Sequence, residues 1–365
     1  MARYSFSNNE MDSENHSLVN SGGYDNGTWG DVQRTDQIID QDSRSTSAFG
    51  RVTYTEPLGN NFYVEANYGY SWSSSTSVKD TYDQNSDDPT SPDPYYSNSV
   101  KNISSRHTIG TNALYQTDKM RFQLGFSAIP TKTHNETSRA GRQLDPYDDT
   151  RWRFAPQGML WWEMGENASM RFFYRGSSEQ PSVSKLIPVP DNTDPLDISF
   201  GNPYLAPYFS HSLRGDYRYS NRKRFQSVNV RFDGSYVQDP IVNAIWYGPN
   251  GAQYSMPFNG PSSANANVNL FANLPIGSSN FSISEMGRVG YSKTSSYVGG
   301  DDVSEQIDNY YNAATGDMDY EEFLKAYSNG DFKFTENTTR TLSATERLRV
   351  TYRSDALELT LSGRT

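Results

Sequence analysis

FYVEANYGYSW, residues 62–72, decides how this chain folds. Phe62, Val64, Ala66, Tyr68, Tyr70 and Trp72 alternate with Tyr63, Glu65, Asn67, Gly69 and Ser71. A period of two places the first set on one face of a strand and the second on the other. Upstream, SAFGRVTYTEP reaches this segment through the turn Pro57-Leu58-Gly59-Asn60, so the two make a hairpin. The pattern recurs along the chain. Ile109, Ala113 and Tyr115 alternate with Thr108, Gly110, Asn112 and Gln116, and Met120, Phe122, Leu124, Phe126 and Ala128 alternate with Arg121, Gln123, Gly125 and Ser127. Segments 152–162 with 168–175, and 213–219 with 228–236, form further hairpins. Then Ala264, Ala266, Val268, Leu270, Ala272 and Leu274 alternate with a row that is nearly all asparagine.

The connections say what the apolar face meets. Short turns at 56–61, 117–119, 165–167, 221–224, 275–280 and 354–355 take turns with long polar segments at 8–44, 73–99, 131–150, 179–210 and 295–333. Strict alternation around a meander sends every long segment to one rim, the pattern of an outer-membrane barrel with short periplasmic turns and long extracellular loops. Composition agrees. Hydrophobic residues are 34% and mean hydropathy is -0.80, yet aromatics are 14%, which argues against disorder. A membrane barrel reconciles these figures, because only the lipid-facing half of each strand has to be apolar. No run approaches the roughly 18 apolar residues of a transmembrane helix. Cysteine is absent, and the net charge of -11 excludes nucleic acid as a partner. The fold expected is all-β, a transmembrane antiparallel up-and-down barrel of about 13 visible strands.

The stretch 180–210, QPSVSKLIPVPDNTDPLDISFGNPYLAPYFS, is too rich in proline for a strand and too apolar for a linker, so it reads as an ordered loop between two strands. Its run Gly201-Asn202-Pro203-Tyr204-Leu205-Ala206-Pro207, shortly after Gln180-Pro181-Ser182, resembles the GNPxLxP segment of TonB-dependent outer-membrane receptors within the large family of outer-membrane β-barrel proteins. The resemblance implies that residues 1–365 are the central part of a barrel of roughly 22 strands in the bacterial outer membrane. It implies a plug domain and TonB as partners in the full-length protein, with a surface lipoprotein as a further candidate. Its function would be import of a large nutrient such as a glycan, peptide or metal chelate, with no covalent chemistry and no cofactor. The opening MARYSFSNNE has no apolar export signal, and the last segment lacks a terminal aromatic, so the expectation is a fragment. The alternatives are a passive porin or adhesin barrel, and a soluble all-β carbohydrate-binding module.

Candidate site residues fall in two groups. Arg121, Arg171, Arg175 and Arg214, with Arg151, Arg153, Arg218 and Arg231, lie in the polar rows and face the lumen. There they steer an anionic substrate, seat acidic residues of a plug, or pair across strands with Asp216, Asp233 or Glu65. Tyr95, Tyr96, Tyr147, Asp191, Asn192, Asn202, Tyr204, Trp246, Tyr247 and Tyr254 sit in loops, where exposed aromatics and amides suit ligand capture. Segments 241–247 and 252–258, joined by Gly248-Pro249-Asn250-Gly251, read as a hairpin carried beyond the membrane. Asp319 followed three residues on by Glu322 reads as the cap of a helix of about two turns. Asp83, Asn85 and Asp87, like Asp317, Asp319 and Glu321, have calcium-like spacing without the glycine of a calcium loop, and read as solvated loop. The four histidines are scattered, with no HExxH and no GxSxG, so neither a metal site nor a catalytic base is expected.

Overall fold

The computed structural model describes residues 2–20, 24–25, 28–29, 32–93, 97–139, 142–143, 147–186, 191–194, 196–202, 204–248, 251–277, 279–300, 303, 306, 309–312, 317–331 and 333–365. Its principal strands are β1 (Ala2–Asn20), β2 (Val32–Gly59), β3 (Phe62–Asp83), β4 (Asn98–Gln116), β5 (Met120–Arg139), β6 (Tyr147–Glu163), β7 (Ala168–Glu179), β8 (Tyr208–Asn221), β9 (Gln226–Gln238), β10 (Ile241–Tyr247), β11 (Gln253–Asn259), β12 (Ser263–Pro275), β13 (Phe281–Gly299), β14 (Phe334–Arg353) and β15 (Glu358–Arg364). The helices α1 (Val183–Leu186) and α2 (Tyr320–Asn329) interrupt them.

Thirteen of the strands, β1–β9 and β12–β15, form one meander in which each pairs antiparallel with the next. Among the described residues β1 pairs only with β2, and β15 only with β14, so the sheet is open at both edges. In such a meander alternate connections lie on the same rim, and here all the tight ones share one. The turn from β2 to β3 has Asn60 and Asn61 both at positive φ, 50° and 68°. That twist suits a two-residue hairpin, and asparagine tolerates it. Between β4 and β5, Met120 N donates to Thr117 Oγ1 at 3.0 Å. Between β8 and β9, Arg224 N donates to Asn221 Oδ1 at 3.1 Å.

Burial shows which way the sheet curves. On β5 the apolar Leu124 is 53% exposed, while Asn112, on the polar row of β4, is only 4% exposed. Side chains on a concave face crowd one another and those on a convex face splay apart, so the polar rows line the inside. The exposed band of Val52, Tyr54, Phe62, Val64, Tyr68, Ile109, Phe122, Phe126 and Phe154 is far larger than water tolerates on a soluble monomer, and it is what hydrocarbon requires. Inside, Asn112 Nδ2 donates to Glu65 Oε1 at 2.8 Å and Gln157 Nε2 donates to Asn112 Oδ1 at 2.7 Å. Gly125 makes room for this network, since a Cβ there would overlap Asn112 Oδ1.

The strands run further than their apolar pattern. In β3 the alternation ends at Trp72, and 62–72 is already long enough to cross the membrane at about 9–11 residues. The strand continues through the serine-rich 73–83, paired with β2 throughout and with β4 as far as Lys79. The polar segments 8–44, 73–99 and 131–150, read from sequence as loops, are thus largely ladder. Once neighbours are in register above the membrane, serine and threonine are adequate strand formers and the backbone bonds are already aligned.

His134 helps clamp one such extension. Its ring nitrogens lie 3.0 Å from Glu136 Oε1 and 3.0 Å from Asp148 Oδ1, and Lys101 Nζ lies 3.2 Å from Glu136 Oε2. The bonds to Glu136 and then to Asp148 raise the His134 pKa above its ordinary value, and the His134 bond in turn lowers that of Glu136. A raised histidine pKa contributes stability fully below the unfolded value of about 6.5, and that contribution is lost as pH rises through the folded value. Hydrogen exchange of β5 and β6 near His134, corrected for intrinsic rates, is therefore expected to show weaker protection at alkaline than at mildly acidic pH. His134→Gln should remove the difference; a pH dependence that survives it would refute the clamp.

Candidate functional site

Above the membrane band the β9–β12 hairpin breaks and resumes as β10–β11. Val237 faces Ser263 below the break and Ile241 faces Asn259 above it, so the register carries through. The break has a chemical cause: Pro240 and Pro261 have no N–H to donate, and Asp239 adopts a φ of 50°. The bent hairpin lies alongside β13, with Ala244 parallel to Tyr297, while Asp197–Ser199 runs parallel to β11. Gly299 permits this approach, because a Cβ there would stand 2.7 Å from Trp246 Cβ.

One face of this upper sheet carries Ala244, Trp246, Tyr254, Met256 and Phe258, and α2 covers it with Phe323 and Ala326. Asp319 Oδ1 accepts from Glu322 N at 3.1 Å and Gly330 closes the helix at φ 83°, so the cap expected from sequence forms, on a ten-residue helix. Ile198, Phe200, Val303 and Phe334 complete the apolar core. Trp246 is at its centre with 0% exposure, 6.0 Å from Phe200 at 3° and 5.8 Å from Tyr254 at 13°.

Two asparagines fasten the proline-rich loop to this cap. Asn202 Nδ2 donates to the Pro257 carbonyl at 2.9 Å, and its Oδ1 accepts from Tyr204 N at 2.9 Å. Asn259 Oδ1 accepts from Ala206 N at 2.8 Å, and its Nδ2 donates to the carbonyls of Ala206 and Asp239 at 3.0 and 3.1 Å. Asn259→Ala orphans several backbone groups and is expected to cost about 1–3 kcal/mol locally. Limited proteolysis within 180–207 should accelerate; an unchanged cleavage rate would show that proline stiffness alone holds the loop.

The structure divides the sequence candidates. Trp246 and Tyr254, read as exposed loop aromatics, are buried core, because the hairpin pairs with β13 instead of standing free in solvent. Asn202, read as a ligand amide, has both ends of its side chain bound within the protein. Tyr204 and Tyr247 remain exposed, the latter donating to Gln253 Oε1 at 3.3 Å. Asp191 and Asn192 lie on a short ladder against Asp197–Ser199 and Tyr147 begins β6, but their side chains are outside the described residues, as are Tyr95 and Tyr96 altogether.

All four lumen arginines face inward, on the same rows as the Asn112 network. Arg121 and Arg171 flank Trp161, Arg175 faces Gln157, and Arg214 lies between Phe173 and Asp233. Register sets Asp216 between Arg171 and Arg231, the alternating ladder that sequence allowed. Glu65 instead accepts from Asn112. Sequence reasoning missed two features of this wall. Arg106 shares the inward row of Thr108 and Gly110, and its even position in β4 was sufficient to find it. The exposed Phe173 and Met286 also point inward, as does Phe271 on the asparagine row where sequence had placed it, breaking the polar pattern close to the short-turn rim.

Comparison with known proteins bears on the whole arrangement. The barrel superposes on the Serratia marcescens hemophore receptor HasR, solved with its hemophore HasA and heme, at TM-score 0.51 and 12% identity, covering 92% of this chain and 53% of that one. It matches the copper transporter OprC at TM-score 0.50 and 10% identity, covering 99% of this chain and 55% of that one. The chain thus spans about half the length of these structures. At such identities the likeness is one of fold. No curated protein matches the sequence. The Outer membrane protein beta-barrel family is matched by residues 1–363, essentially end to end, and the chain belongs to that family.

Proposed function

We propose that this barrel is the wall of a TonB-dependent receptor that imports a large nutrient, with the long connections on the extracellular side and a plug domain in the lumen. Family membership places the protein in the bacterial outer membrane. The observation that carries the receptor reading is the inward aromatic belt: Trp161 between Arg121 and Arg171, with Phe173, Phe271 and Met286 exposed near the short-turn rim. A water-filled pore gains nothing from exposed aromatics, whereas a folded domain seated in the lumen would cover them and place carboxylates against the arginines. HasR, a receptor in complex with a hemophore and heme, and OprC, a copper transporter, share the fold and are about twice as long. That leaves chain length for a plug and further strands, and suggests a metal chelate or similarly large solute as cargo. The cap, with Tyr204 and Tyr247 on its surface, would make first contact with it.

Planar-bilayer recording tests this. The full-length protein is expected to be electrically silent, and Phe173→Asp combined with Phe271→Asp should make it leaky by loosening the plug. A large steady conductance from the unaltered protein would instead establish the passive pore.

A further inference from the structure

We infer that the outer face of the wall, where the apolar band ends toward the long connections, holds the phosphate of a lipid head group between Lys293 and Arg340. The two residues pair directly across β13 and β14. Asn267 and Asn269, on the lumen row of β12, pair with Gly290 and Arg288, so the odd-numbered positions of β13 face outward and Lys293 is one of them. Arg340, opposite Lys293, shares that face. Like charges in direct cross-strand register repel, with their Cβ atoms only about 4.5–5.5 Å apart. Among the described residues neither makes an ion pair. The carboxylates of this face do not relieve them: Glu346 is six residues below Arg340 and Glu285 eight below Lys293, while Glu336, four residues above Arg340, accepts from Thr338 Oγ1.

Height on the wall identifies what completes the pair. Lys293 is the thirteenth residue of β13, which rises from a short turn, and a membrane crossing takes about 9–11 residues. Tyr291 and Leu342, two residues below on the same face and opposite each other, are 39% and 74% exposed. An anion seated here meets charge beside it and a greasy surface directly beneath, which suits a head group attached to acyl chains and not a free anion. The arginine fork and the lysine ammonium both donate to phosphate oxygens, so one phosphate can bridge the two and cancel their repulsion. Lys132 repeats the arrangement elsewhere on the wall. It is the thirteenth residue of β5, exposed, in register with Ser105 and Thr150, and Trp152, 57% exposed, lies two residues below Thr150 on β6. The inference goes beyond the uptake reading and takes from it only that the long connections are extracellular, which fixes the leaflet.

The test is native mass spectrometry of the full-length protein, stripped of lipid in dodecyl maltoside and titrated with lipid A, a phosphorylated glycolipid, with net-neutral phosphatidylcholine as the reference. Lipid A is expected to be retained at concentrations where phosphatidylcholine is not. Lys293→Gln combined with Arg340→Gln should weaken retention about tenfold or more, whereas Lys293→Arg, which keeps the charge, should preserve it. Should the double variant fail to fold, Arg340→Gln alone, which alters an exposed side chain, is expected to weaken retention as well. Inorganic phosphate at the same concentration should not displace lipid A, because it has no acyl chains to lie against Tyr291 and Leu342. Equal retention of lipid A by the parent and the neutralised variants, equal retention of phosphatidylcholine, or displacement by inorganic phosphate would each overturn the lipid site. Energised uptake in cells is measured separately: its absence with lipid A retention intact would sink the import reading and leave this site standing.

Discussion

Leu124→Arg is expected to destabilise severely the barrel folded into a bilayer, whereas Gln123→Arg, one residue away, is expected to leave its stability nearly unchanged. Leu124 lies at the middle of the apolar row of β5, between Phe122 and Phe126, and faces outward. A cation on the lipid face near the bilayer midplane costs about 2–4 kcal/mol. That is a large share of a total stability of about 5–15 kcal/mol. Gln123 lies on the opposite face, in register with Leu114 and Met159, where an added guanidinium meets water and the existing arginine rows. Refolding into lipid vesicles, followed by heat-modifiable gel mobility and denaturant titration, separates the two variants. Equal tolerance or equal failure would show that the two faces have been assigned wrongly.

Removing Trp246 is the second large effect. It fills the centre of the cap core, and truncation to alanine should cost about 3–5 kcal/mol through lost contacts and the cavity left behind. The loss is expected to be local, because the thirteen-strand ladder below depends on lipid contact and backbone bonding, and Trp246 meets it only at its upper ends, at Gly299 of β13 and Phe334 of β14. Hydrogen exchange should therefore show β10, β11 and α2 losing protection while β3–β8 keep theirs. Trp246→Phe keeps the stack on Phe200 and removes an indole N–H that is buried without a partner, so it should cost much less. Uniform loss of protection across the wall would mean that cap and barrel fold as one unit.

The wall was legible because a barrel strand obeys a local rule. Each residue from Phe62 to Trp72 carries its own instruction, greasy for lipid or polar for lumen, and the short turns mark every reversal. Asn60 and Asn61, Thr117 and Asn221 act within a few residues of themselves, and so did the Asp319 helix cap. The cap core was not legible, because its contacts join segments far apart in the chain: Phe200 with Trp246, and Trp246 with Phe323. Nothing near Trp246 in sequence distinguishes an aromatic that stacks in a core from one that greets a ligand. The same limit applies to Asn202 and Asn259, whose bonding partners lie about fifty residues away.

The amino-acid order alone determined that this is a membrane barrel, which face of each strand meets lipid, and where the chain reverses, since period-two alternation and turn chemistry are properties of neighbouring residues. Only the tertiary structure decided how far the strands rise above the membrane, and that the proline-rich loop and bent hairpin share one core under α2. Those outcomes depend on cross-strand register and on contacts between distant segments, which local pattern does not encode.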